Sequence, residues 1–94
     1  MADLGMTAKV RPCLVLSIPA LNQDRALVTL VPHTTSVRGT RFEVIVQAHF
    51  LKKGAFDIQG LRGLPHAKLE RKMGSLTAQQ MQAIEDTARH WLGL

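Results

Sequence analysis

Prolines divide this chain into pieces, and the apolar residues fall between them. Pro12 and Pro19 bracket the run 13–18, Cys-Leu-Val-Leu-Ser-Ile, and Pro32 closes a second apolar stretch at residues 25–31. Short runs rich in Val and Leu, bounded by a residue with no N–H to give to a sheet ladder, read best as strands. Periodicity alone leaves a short helix open for the first run, but its almost unbroken apolar character predicts a strand buried on both faces. In the second, Ala26, Val28 and Leu30 fall on one face and Leu27, Thr29 and Val31 on the other. Asn22-Gln23-Asp24 supply turn chemistry between the two, so they are expected to pair antiparallel.

Residues 31–46, V-P-H-T-T-S-V-R-G-T-R-F-E-V-I-V, then carry most of the polar groups with functional promise. Pro32 is expected to end the second strand. Three adjacent hydroxyls follow, Thr34, Thr35 and Ser36, and then Arg38 and Arg41 around Gly39. Phe42, Val44 and Val46 alternate with Glu43, Ile45 and Gln47, the period of a half-buried strand that should run from Arg41 to about Ala48. Hydroxyls and guanidiniums held out together on a strand–loop–strand scaffold suit phosphate chemistry. A hydroxyl donates to a phosphate oxygen, and arginine offers a planar, permanently charged fork.

Beyond Lys52-Lys53-Gly54, a turn, residues 55–64 should pack Phe56, Ile58, Leu61 and Leu64 inward, with Gly60 and Gly63 marking a bulge or the sharp bend that closes a small barrel. Residues 65–69 read as a single helical turn and 70–76 as a last short strand. The end of the chain is the clearest element. Thr77 and Gln80 fit a capping box, Leu76 and Met81 a hydrophobic staple. Met81, Ile84, Ala88, Trp91 and Leu92 form one helical stripe, and Gly93 stops it. Trp91 is expected in the core or an interface.

Ninety-four residues at 46% hydrophobic and 20% charged make one globular domain, small enough for oligomerisation to help its stability. Twelve Lys and Arg against seven Asp and Glu leave a net charge of +5, which favours a polyanionic partner. The single cysteine, Cys13, cannot form an internal disulfide and fits a reducing cytoplasm. No apolar stretch is long enough to span a bilayer. His33, His49, His66 and His90 are scattered without metal-ligand spacing, so neither a metal nor another cofactor is expected.

Lys9-Val10-Arg11-Pro12 leading into Cys13-Leu14-Val15-Leu16-Ser17 resembles the R-P-x-L-V-L-S element of the PemK/MazF-like toxins of bacterial toxin–antitoxin systems. Val31-Pro32-His33-Thr34-Thr35-Ser36, with Phe42-Glu43-Val44 after it, resembles their second element, a strand ending in a threonine-bearing turn. Lys72-Met73-Gly74-Ser75-Leu76-Thr77 and the helix to Trp91-Leu92 resemble their closing strand and helix. The three blocks stand in the family's order and cover most of residues 9–92.

The resemblance implies a mainly β fold with a C-terminal α-helix, an SH3-like small barrel of the CcdB/PemK/MazF kind. Residues 1–11 would form an N-terminal arm or partial first strand, 12–76 the barrel and 77–92 the helix. The family opens with a full strand of the pattern G-D-v-w-x-x-D and a covering loop, whereas only Met1-Ala2-Asp3-Leu4-Gly5 precede the Lys9 element here, so the first strand is expected to be short or missing. The acidic residue that many members carry before the position of Pro65 is replaced by Gly63-Leu64.

By the same resemblance, the protein is expected to be a growth-inhibiting, metal-independent endoribonuclease of single-stranded RNA, a cytoplasmic homodimer held in check by a cognate antitoxin, with Arg11 and Thr34 as its catalytic pair. RNA carries its own nucleophile, the 2′-OH, so a protein need only align it, take its proton and stabilise charge at phosphorus. Arg11 would supply fixed positive charge and Thr34 a hydrogen bond. His33 titrates in the useful range and is a candidate base or acid, unless strand alternation turns its ring away from Thr34. Lys9, Thr35, Ser36, Arg38 and Arg41 would hold the RNA; the alternative for the cations is a solvated basic surface. Two other functions compete: a catalytically inactive small-barrel module that binds RNA or an antitoxin, and a CcdB-like toxin acting on a protein target.

Overall fold

The computed structural model describes residues 11–94 and the backbone of residues 3–6. Its strands are β1 (Asp3–Met6), β2 (Pro12–Val15), β3 (Leu27–Thr34), β4 (Glu43–Ile45), β5 (Ala55–Asp57), β6 (Arg62–Pro65) and β7 (Gly74–Ser75), followed by the helix α1 (Ala78–Leu92). All the pairings are antiparallel, in the order β4-β5-β3-β2-β1-β7, with β6 alongside the first half of β3. The described pairings bend the sheet into a barrel-like form without closing it, leaving β4 and β7 at its two ends.

Everything is hung on β3. One of its edges meets β2 through Cys13↔Pro32, Leu14↔Val31 and Val15↔Leu30. Its other edge is shared: Leu27 to Leu30 pair with β6, and His33 and Thr34 pair with β5. Pro32, expected to end this strand, therefore lies inside it. Thr29 turns its N–H and C=O toward the β2 side, bonding Ser17 Oγ and the Leu16 N–H at 2.9 Å each. Strand alternation then points the Pro32 nitrogen to the other edge, into the interval where β6 has ended and β5 has not begun. No ladder donor is needed there, so proline is tolerated. A 3-10 turn, Ile58–Gly60, fills the interval. A Cβ on Gly60 would come within 2.8 Å of Pro32 Cγ, which accounts for glycine at that position.

The first strand exists. Residues 3–6 pair with β2 at Leu4↔Leu14, Gly5↔Cys13 and Met6↔Pro12, and with β7 at Asp3↔Ser75 and Leu4↔Gly74. It is the short, partial first strand expected within residues 1–11, and two neighbouring strands supply it with ladder partners on both edges.

Because β2 and β3 are covered on both sides, their apolar residues divide between two clusters. Leu14 and Val31 join Phe42, Val46, Phe56, Ile58, Leu76, Ile84 and Ala88 in the main core under α1. Cys13, Val28 and Leu30 pack on the opposite face with Val15, Leu64 and Leu69. The first apolar run is shorter as a strand than expected: β2 ends at Val15, and Ile18 is 85% exposed. The strand expected from Arg41 to Ala48 contracts to β4, yet its alternation holds, with Phe42 and Val46 buried and Ile45 69% exposed. Phe56 and Ile58 are fully buried, and Leu61 and Leu64 pack against the two clusters as expected. Gly63 forms no bulge but a regular pair with Thr29. The helical turn expected at 65–69 is a 3-10 turn, His66–Lys68, and the last strand contracts to Gly74–Ser75.

α1 carries the expected capping box. The Gln80 N–H donates to Thr77 Oγ1 at 3.1 Å, and the Thr77 N–H donates to Gln80 Oε1 at 2.9 Å. Gln80 Nε2 also donates to the Gln47 carbonyl at 3.1 Å, tying the helix to the segment after β4. Ile84 and Ala88 are buried and Met81 packs on the core, but the stripe runs off the sheet at its end. Trp91 is 42% exposed, its ring 5.0 Å from that of Phe42. Gly93, at φ 73, stops the helix.

Candidate active site

The site forms where β3 ends. Extending the β2–β3 register by two residues past Cys13↔Pro32 sets Arg11 opposite Thr34. Thr34 is held from the other edge by its pairing with Ala55. Gly54, just before β5, approaches so closely that a Cβ there would overlap the Thr34 carbonyl oxygen and come within 2.8 Å of His33 Cε1. Thr34 Oγ1 accepts the Ser36 N–H at 3.0 Å, which folds the chain back at the strand end.

The loop that follows is latched to the next strand by one carboxylate. Glu43 Oε2 accepts the Arg38 N–H at 3.0 Å and Oε1 accepts the Thr40 N–H at 2.7 Å. These backbone donors, Arg38 first and Thr40 second, hold the Glu43 carboxyl below the usual glutamate range. Glu43 is thus ionised and already committed to its own loop.

Thr34, Ser36, Arg38 and Thr40 line a cavity of about 350 Å3 together with Glu43, Asp57 and Gln59. Asp57 stands directly across the β4–β5 ladder from Glu43. A larger groove of about 1060 Å3 opens elsewhere, between the 17–26 connection, the turn after β6 and the helix, with Ile18, Leu21, Leu27 and Met81 among its walls. The smaller cavity is the candidate site, because the hydroxyl residues Thr34, Ser36 and Thr40 and the arginine Arg38 all line it.

The residues singled out in the sequence are thus divided. Thr34, Ser36 and Arg38 meet at the cavity, and the register brings Arg11 beside Thr34. Thr35 is exposed at the strand end. Arg41 stands apart, its guanidinium 4.6 Å from the centre of the Phe42 ring. His33 is turned inward: it is 5% exposed, its ring meets Phe56 edge-on at 5.1 Å, and Nε2 has no hydrogen-bond partner among the described residues. Burial lowers its pKa, so the imidazole is neutral at pH 7. Lys9 lies outside the described residues. Sequence reading missed the cavity roles of Glu43, Asp57 and Gln59. The only local signal was a carboxylate two residues after Arg41; Asp57 is placed by strand register, and Gln59 by the 3-10 turn that follows it.

A barrel-like antiparallel sheet capped by one C-terminal helix, with a hydroxyl- and arginine-lined cavity at the end of its central strand, defines the class to which the chain belongs. It is a member of the PemK-like, MazF-like toxins of type II toxin–antitoxin systems, whose family model matches residues 2–92. Among solved structures, Mycobacterium tuberculosis toxin MazF-mt6 is 28% identical with a TM-score of 0.80, over 99% of this chain and 96% of that one. MazF in the MazE–MazF structure (Form-III) from Deinococcus radiodurans is 27% identical with a TM-score of 0.82, over 97% and 92%. An endoribonuclease in complex with its cognate antitoxin from a mycobacterial species has a TM-score of 0.84 over 98% and 92%; at 23% identity this likeness shows the fold alone. No curated protein matches the chain significantly.

Proposed function

We propose that the protein is an endoribonuclease toxin that cleaves single-stranded RNA without a metal. The 2′-oxygen attacks the adjacent phosphorus, the bond from phosphorus to the 5′-oxygen breaks, and the products are a 2′,3′-cyclic phosphate and a 5′-OH. The observation that carries this reading is the β2–β3 register, which when extended by two residues sets Arg11 opposite Thr34, itself in the wall of a polar cavity. Arg11 stays protonated at ordinary pH, so it acts as fixed charge on the phosphoryl oxygens rather than as a base. Thr34 positions the 2′-OH or a phosphate oxygen. Burial and the contact with Phe56 favour a packing role for His33 beneath Thr34 over proton transfer. Lys9, Thr35, Ser36, Arg38 and Arg41 hold the RNA.

The family and its solved MazE–MazF complexes support a cognate antitoxin as partner in the cytoplasm. The net charge of +5 suits an acidic inhibitory segment. The family also supports a homodimer.

Cleavage of a long single-stranded RNA in EDTA by the wild type, Arg11→Ala and Thr34→Ala tests the mechanism. Discrete wild-type cuts with 5′-OH ends should slow by about a hundredfold or more in each variant. Unchanged cutting by both variants would remove the pair from the chemistry.

A further inference from the structure

The cavity beside Thr34 contains a carboxylate with nothing to do. Glu43 and Asp57 face one another across the β4–β5 ladder, an arrangement that is repulsive for like charges. Glu43 is compensated by the Arg38 and Thr40 N–H groups. Asp57 is not: it precedes the 3-10 turn without capping it, and its carboxylate makes no hydrogen bond or ion pair among the described residues. Arg38 lines the same cavity, and its side chain is likewise without an ion pair among the described residues. At about 350 Å3 the space lies at the lower end of small-ligand sites, roughly 300–1,000 Å3.

Resting on the ribonuclease reading, the geometry points to a guanine-reading subsite in which Asp57 accepts from the Watson–Crick edge of an unstacked base and Arg38 donates to its O6 and N7. A free carboxylate has two acceptor oxygens and takes two adjacent donors best. Guanine presents such a pair, N1–H and the N2 amine. Uracil sets its single N3–H between two carbonyl oxygens, and cytosine and adenine place a ring-nitrogen acceptor beside their amine, so each of these turns an acceptor toward the charge. Arginine to guanine O6 and N7 is a frequent specific contact in nucleic-acid recognition. The Gln59 amide, on the same wall, can donate to O6 as well. Single-stranded RNA exposes these edges because its bases can be splayed out of the stack. The subsite adjoins Thr34, so it would fix a guanine next to the bond that is cut.

The test is equilibrium binding, by fluorescence anisotropy, of non-cleavable 2′-deoxy oligonucleotides in which a uridine tract carries one central guanine, inosine or adenine. Inosine lacks only the N2 amine, so it changes the ligand without touching the protein fold. The wild type should bind the guanine oligonucleotide about tenfold more tightly than the inosine one, the loss of one hydrogen bond to a charged acceptor. In Asp57→Asn, whose amide replaces one acceptor with a donor, the two should bind within about twofold. Equal wild-type binding of guanine and inosine, or a preference retained by Asp57→Asn, would overturn the subsite. The ribo forms assayed in parallel separate the two readings. Guanine-selective binding without cleavage would leave the subsite standing and remove the ribonuclease; cleavage indifferent to guanine would do the reverse.

Discussion

Gly54 lies against Thr34 so closely that a single added methyl would overlap the Thr34 carbonyl oxygen. The contact seats β5 on the end of β3, and with it the floor of the cavity. Gly54→Ala must push the two strands apart, and overpacking of a well-packed site costs about 1–3 kcal/mol. Gly63→Ala is the control, since its nearest neighbour would be the Val28 carbonyl oxygen at 3.9 Å. Urea unfolding should show a clear loss for the first and less than about 0.5 kcal/mol for the second. Equal stabilities would mean that the approach of β5 is not a constraint.

The Glu43 latch yields a prediction about order rather than global stability. In Glu43→Ala the N–H groups of Arg38 and Thr40 lose their acceptors, so their hydrogen exchange should quicken while that of Val31 and Phe56 stays slow. RNA cleavage should fall with it, because Ser36 and Arg38 are carried on this loop. Since the folded Glu43 carboxyl sits below its usual range, the latch is fully present above the ordinary glutamate pKa, about 4.3, and is lost as pH falls through the lower folded value. Unchanged exchange at Arg38 and Thr40 would show that the latch does not order the loop.

The cap of α1 makes two contributions that can be separated. Thr77→Ala should lower stability by about 1 kcal/mol, the usual cost of a lost N-cap. Gln80→Ala removes its half of the box and also the bond to the Gln47 carbonyl. The double variant should cost less than the sum of the two, because they share the box. Strict additivity in thermal unfolding would argue that the reciprocal bonds do not act together.

The parts of the molecule legible in the sequence are those whose cause is local. The helix was marked by Thr77, Gln80, a 3.6-residue stripe and Gly93, and the inward face of β4 by strict alternation about Phe42, Val44 and Val46. Pro32 misled because its effect depends on where two other strands stop along an edge of β3, which no local pattern records. β1 spans four residues, too few for a period to declare itself, and is made by ladder partners on β2 and β7. The hydroxyls and Arg38 of the site were legible as a cluster in one loop. Asp57 was not, because only the pairing Glu43↔Asp57 brings it to them. His33, by contrast, follows the strand alternation visible in the sequence, which carries its imidazole to the side opposite Thr34.

That inward placement of His33 has a consequence for acid stability. Burial lowers the folded pKa, whereas in the unfolded chain the imidazole titrates near its ordinary value, about 6.5. Between the two values the unfolded state binds more protons, so stability rises with pH there. It is complete above about 6.5 and is lost as pH falls below, by at most about 1.4 kcal/mol per pH unit for one group. His33→Phe fills a similar volume, keeps an edge-on ring at Phe56, and removes a nitrogen that has no partner among the described residues. Such a replacement should be nearly neutral at about pH 7.5 and should flatten the decline toward about pH 5.5. The other histidines, His49, His66 and His90, are exposed and remain in both proteins. Urea unfolding at the two pH values measures the difference; the same slope in wild type and variant would place the origin of the acid sensitivity somewhere other than this imidazole.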